Sequence, residues 1–414
     1  MESASCPGLR VLHLTPELPF QPGGGGGRTL EFFLCRALAE RGHQVVNVSP
    51  VMPDERREAG ALEAVGVAVR MAVRPARPPE EVARAVAAEP GVLAAAVTRP
   101  VRALEMRIFW TRLRAVALAA IDEFDPDVAV VGHDMAMAWS DDFPAGLPAV
   151  LTCHNLQWNW YESRARQTSG PAAGLLRAEA WRYRRFVRSR LGRFHTAVAL
   201  STIERDQLIE MGGPRVALIP MGIDMSAIRP TPERDGPPRV LFTGTMSYPP
   251  NSQGARWLAE RIWPLVRRMT PDARLDIVGR EPGPELTRLD GREGISVRGF
   301  VPSMAPYFEA AHVVVAPILT GAGIRVKIIE ALAAGKPVVS TTLGHEGLGL
   351  EPGRHLLVED RPERFAAAVA DLLAEPDRRA ALAREGRARA ERDFDWRTLG
   401  DRLESMLAGA VNGD

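Results

Sequence analysis

The residues in this chain best suited to chemistry are Arg325, Lys327 and Glu330, which follow the short loop Thr320-Gly321-Ala322-Gly323-Ile324. An apolar run at 312–316 precedes that loop, and a second one lies at 338–340. The pattern predicts a buried strand, a glycine loop, about three turns of helix stopped at Gly335, and another buried strand. Such a unit offers backbone N–H groups and the positive end of a helix to an anion. Arg325 and Lys327 are expected in the first helical turn, where cations oppose the helix dipole. Local stability would not select two of them there, so a negative group is expected opposite. Glu330, three residues beyond Lys327, falls on the same side of the helix. Its plain alternative is an i,i+3 ion pair with Lys327.

The elements that must position these residues follow an α/β plan. Residues 10–14 form a first apolar strand, followed by the glycine run 23–27. Leu30, Phe33, Leu34, Ala37 and Leu38 then line one face of a helix. Gly42 ends that helix and residues 44–48 return as a strand, so a parallel sheet with a crossover is expected. Further strands are expected at 67–69, 127–132, 149–153, 196–200 and 216–220, with helices at 101–124, 175–194 and 202–211. Residues 127–132 deliver His133 and Asp134, and residues 149–153 deliver His154 and Asn155. Ligands of open α/β sheets gather beyond the carboxyl ends of strands, so both histidines are well placed. Pro230, Pro232, Pro237 and Pro238 mark a linker at 225–238. A second series follows, with strands at 239–242, 275–278, 295–297, 313–316 and 338–340, helices such as 255–269 and 302–311, and a helical C-terminus. The organisation is thus 1–224, linker 225–238, 239–394 and a last helix at 395–414.

Composition narrows the function classes. At 414 residues the chain is too long for one ordinary core. Its 46% apolar and 25% charged content is that of a soluble globular protein, and a net charge of +1 argues against a general nucleic-acid binder. Cys6, Cys35 and Cys153 are too scattered for a disulfide framework or a zinc site. The first residues carry no signal-peptide pattern and no run is long enough to span a bilayer, so a cytoplasmic enzyme or binding protein is expected.

Taken together, six blocks in order resemble the retaining, two-Rossmann (GT-B) glycosyltransferases of the family 4 type. They are Pro22-Gly23-Gly24-Gly25, Val131-Gly132-His133-Asp134, Ala199-Leu200-Ser201, Ile219-Pro220-Met221-Gly222-Ile223-Asp224, Phe242-Thr243-Gly244-Thr245-Met246, and residues 321–340 continued by Gly344-His345-Glu346-Gly347-Leu348. The resemblance implies two doubly wound α/β domains facing across a cleft, with the C-terminal helix packing back on the first domain. It implies a nucleotide-diphosphate sugar as co-substrate on the second domain, no other cofactor, no metal, and a polysaccharide, lipid-linked or small-molecule acceptor on the first. Glu330 corresponds to the glutamate that holds the nucleotide ribose. Gly244, Arg280, Val301, Gly321, Gly323, Arg325 and Lys327 correspond to donor contacts. His133 corresponds to the cleft histidine beside the sugar. Gly24, Gly25, Gly26, His154, Asn155 and Trp158 are candidates for the acceptor side, with Trp158, Trp160 and Tyr161 expected on a loop where exposed rings stack on a ligand or simply pack.

The chain departs from the family pattern at two places. Ala322 stands where a glutamate usually touches the donor sugar, and residues 245–251 lack the usual basic pair after Gly244. Arg325 and Lys327 then remain to neutralise the diphosphate, assisting departure of the leaving group. Asp125-Pro126-Asp127 and Asp393-Phe394-Asp395 have the form of a metal motif but not its context. The arginines of 177–193 suit anionic lipid, in a weak peripheral contact, or a plain solvated helix face, and the solvated face is the simpler expectation. A transferase is the first reading. A nucleotide-sugar epimerase of the same architecture and a non-catalytic nucleotide-sugar-binding subunit are its rivals.

Overall fold

The computed structural model describes residues 8–20, 26–73, 100–213, 215–230, 236–321 and 323–413. Its contacts divide the chain into two units, Met1–Pro220 with Leu399–Asp414, and Met221–Thr398. The expected linker lies partly outside the described residues, at 231–235.

Among the described residues the first unit is built on seven parallel strands: β1 Arg10–Leu14, β2 Gln44–Val51, β3 Ala68–Val73, β4 Val128–Gly132, β5 Ala149–Thr152, β6 Thr196–Ala199 and β7 Val216–Leu218. Their spatial order is β3-β2-β1-β4-β5-β6-β7. β4 is buried at every position, as a strand covered by helices on both faces must be, and this is why it reads as an unbroken apolar run. Order reverses between β1 and β4, where the connections leave to opposite sides. A crevice at the carboxyl ends follows from that reversal.

Among the described residues the second unit repeats the plan with six parallel strands: β8 Arg239–Thr243, β9 Arg274–Val278, β10 Ile295–Arg298, β11 Val313–Ala316, β12 Val338–Ser340 and β13 Leu357–Val358, ordered β10-β9-β8-β11-β12-β13. Alternate residues of β11 enter opposite cores: Val313 and Val315 pack with Phe242, Leu275 and Phe365, while Val314 and Ala316 pack with Ile328, Ile329 and Leu332. The switch point here lies between β8 and β11.

Two expectations change. The helix after the glycine loop is Val326–Ala333, about two turns and not three. Arg325 is the residue before it, at φ −94° and ψ 83°, and the chain leaves through left-handed Gly335 at φ 68°. The segment with Trp158, Trp160 and Tyr161 is not a loop but the helix Gln157–Arg166, which packs against the helix Pro171–Arg190.

The last helix, Trp396–Asn412, returns to the first unit from Leu399 onward. Leu399, Leu403, Leu407 and Ala410 form its buried stripe, and Asp401 and Glu404 meet Arg41, with Glu404 also 3.4 Å from His43. Leu407→Ala is expected to lower stability by about 2–5 kcal/mol, read as a drop in the denaturant midpoint at unchanged slope.

Candidate functional site

In the second unit the expected residues converge at the switch point. Gly244 ends β8 at φ 152°, and its N–H donates to Val278 O at 3.0 Å. A Cβ on Gly279, in the loop after β9, would stand 1.8 Å from Gly244 O, so the two loops meet backbone to backbone and only glycine fits. Lys327 projects into the same corner. Its Nζ donates to Asn251 Oδ1 at 2.7 Å and lies 4.4 Å from the centroid of the Phe242 ring. Asn251 is fixed in turn by donating to Thr245 O at 2.9 Å.

Arg325 is buried beside Lys327 and donates to Gly323 O at 2.8 Å. A Cβ on left-handed Gly321, φ 98°, would meet Pro250, the Tyr248 hydroxyl and the Arg325 guanidinium. Glu346 is close enough to favour the charge on Arg325, as is Tyr248, though burial outweighs both and lowers its pKa. Burial and the charge of Arg325 push the Lys327 ammonium down to about 7, against the pull of Glu330. Glu330 itself is pushed up by burial and pulled back by Lys327. The i,i+3 ion pair does not form. Lys327 bonds the neutral amide of Asn251, and Glu330 makes no side-chain hydrogen bond among the described residues.

Arg280 and Val301 come to the flank of this corner. The Arg280 guanidinium lies 4.6 Å from the centroid of the Phe300 ring, which is 64% exposed, and Val301 packs half-buried into the core beneath. Ala322 lies outside the described residues. Asn251 is the contact that sequence reasoning missed, since it occupies a stretch legible only as lacking a basic pair.

In the first unit the site centres on a residue not singled out in the sequence, Glu31. Its carboxylate is buried at 2% exposure and bridges two imidazoles, accepting from His13 Nε2 at 2.6 Å and contacting His154 Nε2. The Thr152 hydroxyl also donates to it, at 2.9 Å. Behind, His13 Nδ1 is met by Asn47 Nδ2 at 3.0 Å and Cys35 Sγ at 3.1 Å. Burial opposes charge on both Glu31 and His13. It is overcome on Glu31 by His154 and His13, which hold the carboxyl well below its usual range, and on His13 by Cys35 and Glu31, which hold the imidazole above its own. The signal available in the sequence was a glutamate beside the apolar stripe of its helix and a histidine inside an apolar strand.

His133 stands at a left-handed φ of 80°, and its ring centroid is 4.9 Å from that of His154. Its Nδ1 accepts from Met135 N–H at 3.4 Å and lies 2.6 Å from Asp134 Oδ1 without hydrogen-bond alignment to it. Asn155 Oδ1 is buried with no hydrogen-bond partner among the described residues. Gly24 and Gly25 lie outside the described residues. A Cβ on Gly26 would meet nothing, whereas one on Gly27 would stand 2.8 Å from His154 Nδ1, so the close approach falls at Gly27. Trp158 is fully buried in the core, which removes it as a stacking platform; Trp160 is the exposed ring of that helix, at 44%. The formal D-x-D pairs serve arginines: Asp125 and Asp127 bind Arg10, while Asp393 binds Arg389 and Asp395 binds Arg397.

Residues 24–227 match a family model described as Glycosyltransferase Family 4, and residues 237–375 match one described as Glycosyl transferases group 1. A GDP-mannose-dependent alpha-(1-6)-phosphatidylinositol monomannoside mannosyltransferase of Mycolicibacterium smegmatis is 31% identical over 236 residues, 51% of this chain and 61% of that protein. The chain therefore spans about three fifths of that relative's length. Among solved structures, sucrose-phosphate synthase from Thermosynechococcus elongatus superposes with a TM-score of 0.70 at 16% identity, covering 98% of this chain and 100% of that one. The Anabaena protein HepE in complex with UDP gives 0.66 at 15%, covering 97% and 100%. At such identities the two structures speak for the fold.

The Glu31 network makes the first unit sensitive to pH. Its stabilisation is complete between the unfolded carboxylate and imidazole pKa values, about 4.3 and 6.5. It is lost below that window as Glu31 takes up a proton, and above it as His13 gives one up. Glu31→Gln is expected to flatten both slopes in a plot of unfolding free energy against pH. Glu31→Ala should destabilise by about 3–5 kcal/mol inside the window.

Proposed function

We propose, from the premise that this chain belongs to the group 1 glycosyltransferases, that it moves a glycosyl unit from a nucleoside-diphosphate sugar to an acceptor hydroxyl. The observation that carries the reading is the paired cation corner of the second unit. Lys327 and Arg325 are drawn together out of water, and Lys327 is bonded to a neutral amide. Two adjacent buried cations repel each other, and a diphosphate relieves that repulsion while gaining charge-assisted hydrogen bonds.

As the glycosidic bond breaks, negative charge grows on the leaving phosphate, and pre-positioned cations stabilise that charge more than the ground state. Arg325 and Lys327 supply this stabilisation, so the transfer proposed is metal-independent. Glu330, uncommitted to Lys327, takes the ribose diol, as the family resemblance implies. Arg280 and Phe300 flank the nucleobase. The acceptor is assigned to the first unit, where the His133 and His154 rings lie 4.9 Å apart between centroids. Transfer with retention, the acceptor attacking the face the leaving group vacates, is the mechanism proposed. The Mycolicibacterium relative is named for GDP-mannose and the Anabaena structure holds UDP. The same relative is named for a phosphatidylinositol monomannoside, so the acceptor class proposed is a glycan or lipid-linked sugar, with a small molecule as the remaining choice.

Calorimetric titration with UDP, GDP, ADP and dTDP tests the site. One of them is expected to bind, and Lys327→Ala to weaken it by about tenfold or more. Glu330→Ala should weaken the nucleoside diphosphate while leaving inorganic pyrophosphate unaffected. Because Lys327 is held at about 7 in the free protein, binding above that pH takes up a proton. Affinity should fall by about tenfold per pH unit there, and Lys327→Met should abolish the uptake. Unchanged affinity in both alanine variants would sink the assignment.

With the donor base known, product analysis separates the rivals. A transferase changes the acceptor, and the anomeric coupling of its product reports retention. An epimerase converts the donor sugar with no acceptor present. A binding subunit releases no diphosphate with any acceptor.

A further inference from the structure

Of the two imidazoles beyond β4 and β5, one has a nitrogen that the fold leaves without a partner. Both nitrogens of His133 are engaged, Nδ1 by the Met135 N–H and Nε2 by Gln157 Nε2, each at 3.4 Å. His154 meets Glu31 through Nε2, and its Nδ1 makes no hydrogen bond among the described residues. That open nitrogen is turned to Gly27. A Cβ built on Gly27 would stand 2.8 Å from Nδ1, and its next two neighbours, at 3.4 and 3.9 Å, are also atoms of the His154 ring. Gly27 lies within the helix Gly26–Ala39 and is not one of the left-handed glycines, so its backbone does not call for glycine. What the missing side chain does is leave Nδ1 uncovered.

The surroundings of His154 decide which nitrogen carries hydrogen. A carboxylate only accepts, so the nitrogen against Glu31 is the donor. Against burial, Cys35 and Glu31 hold the His13 imidazole up at about 10, so a positive charge already faces the same carboxylate. A second proton on His154 would find no further charge on Glu31 to answer it, which leaves Nδ1 with its lone pair. The other titratable neighbours are His133, 4.9 Å away between ring centroids, and Asp134, whose Oδ1 lies 2.6 Å from His133 Nδ1. An imidazole backed by a buried carboxylate, with its outer nitrogen bare, is built to take a proton from a hydroxyl. The carboxylate fixes the tautomer and stabilises the imidazolium that forms. We propose that His154, set in its Nε2–H tautomer by Glu31, takes the proton of the acceptor hydroxyl on Nδ1, with Gly27 keeping that nitrogen open. This role rests on the transfer reaction proposed for the chain. The acceptor oxygen bonds the anomeric carbon as its proton moves to Nδ1. The bond from that carbon to the leaving phosphate breaks, and its electron pair stays on the diphosphate. Doubly protonated His154 stands beside anionic Glu31 and gives its proton to water before the next turnover. His154 is thus the catalytic residue, and Glu31, acting through it, a positioning residue.

Long-range proton–nitrogen spectra of the full chain, isotopically labelled in its eight histidines, read the tautomer, with His154→Gln identifying the His154 signals. A protonated Nε2 and a bare Nδ1 are expected at neutral pH. Glu31→Gln, whose amide can face Nε2 with either atom, should mix the tautomers. A protonated Nδ1 in the parent overturns the proposal. Turnover is followed as nucleoside diphosphate released with the acceptor that product analysis identifies. His154→Gln is expected to lower kcat by about a hundredfold or more and Glu31→Gln by about tenfold, each at nearly unchanged KM for the donor. In the parent kcat should fall in acid as Nδ1 takes up a proton, and that limb should be lost in His154→Gln. Gly27→Ala places a methyl group over Nδ1 and is expected to lower kcat while folding as well as the parent, since alanine is the better helix former. The melting midpoint checks folding, and Gly27→Ala carries the test where Glu31→Gln unfolds. Parental kcat in His154→Gln or in Gly27→Ala overturns the role and gives the proton to the leaving phosphate. No turnover with any acceptor sinks the transfer reaction and this role with it, whereas a His154→Gln variant that turns over like the parent sinks the role alone. None of the three substitutions touches the second unit, so the nucleotide titrations succeed or fail separately.

Discussion

A lysine ammonium taken out of water and given a neutral amide for a partner is the constraint on which the second unit turns. Desolvating such a charge is unfavourable unless something negative answers it. Here Glu330 answers only at a distance, and Arg325 adds a like charge beside it. The arrangement is held by rigid parts. Gly244 and Gly279 are locked backbone to backbone, Asn251 is tied to the loop between them and its own helix, and the helix Val326–Ala333 is buried along Ile328, Ile329, Ala331 and Leu332. The unfavourable charge is thus held in a closely packed frame, the arrangement on which the proposed diphosphate site rests.

The first unit uses the same topological position for the opposite electrostatic solution. At the reversal between β1 and β4 it buries a carboxylate together with its counter-charge and satisfies it with His13, His154 and Thr152. The network fixes one edge of the His154 ring and turns the other toward Gly27. His133 is set differently, by an unusual left-handed backbone that ends β4 and a neighbouring Asp134. Two imidazoles tilted 55° to one another, with different supports, therefore stand beyond the carboxyl ends of β4 and β5.

Arg325, Lys327 and Glu330, His133 and His154, and the glycines at 244, 321 and 323 were legible because each belongs to a local pattern: a strand end, a turn or the start of a helix. Trp158 was misplaced because an aromatic-rich segment after a strand looks the same whether it loops outward or packs inward. The burial of that helix against its successor settled the matter.

The sequence by itself determined the alternation of buried strands and amphipathic helices, the two-fold repetition of that plan and the glycine turns, because these follow from periodicity and backbone sterics within a few residues. Only the tertiary structure decided which side chains meet. Asn251 reaches Lys327 across 76 residues and Glu31 reaches His154 across 123, contacts that no window of sequence contains. It also decided charge: which arginines on the helix Pro171–Arg190 find a carboxylate, and that Lys327 finds none within ion-pair distance among the described residues. The strength of an ion depends on what surrounds it, and the surroundings exist only once the chain has folded.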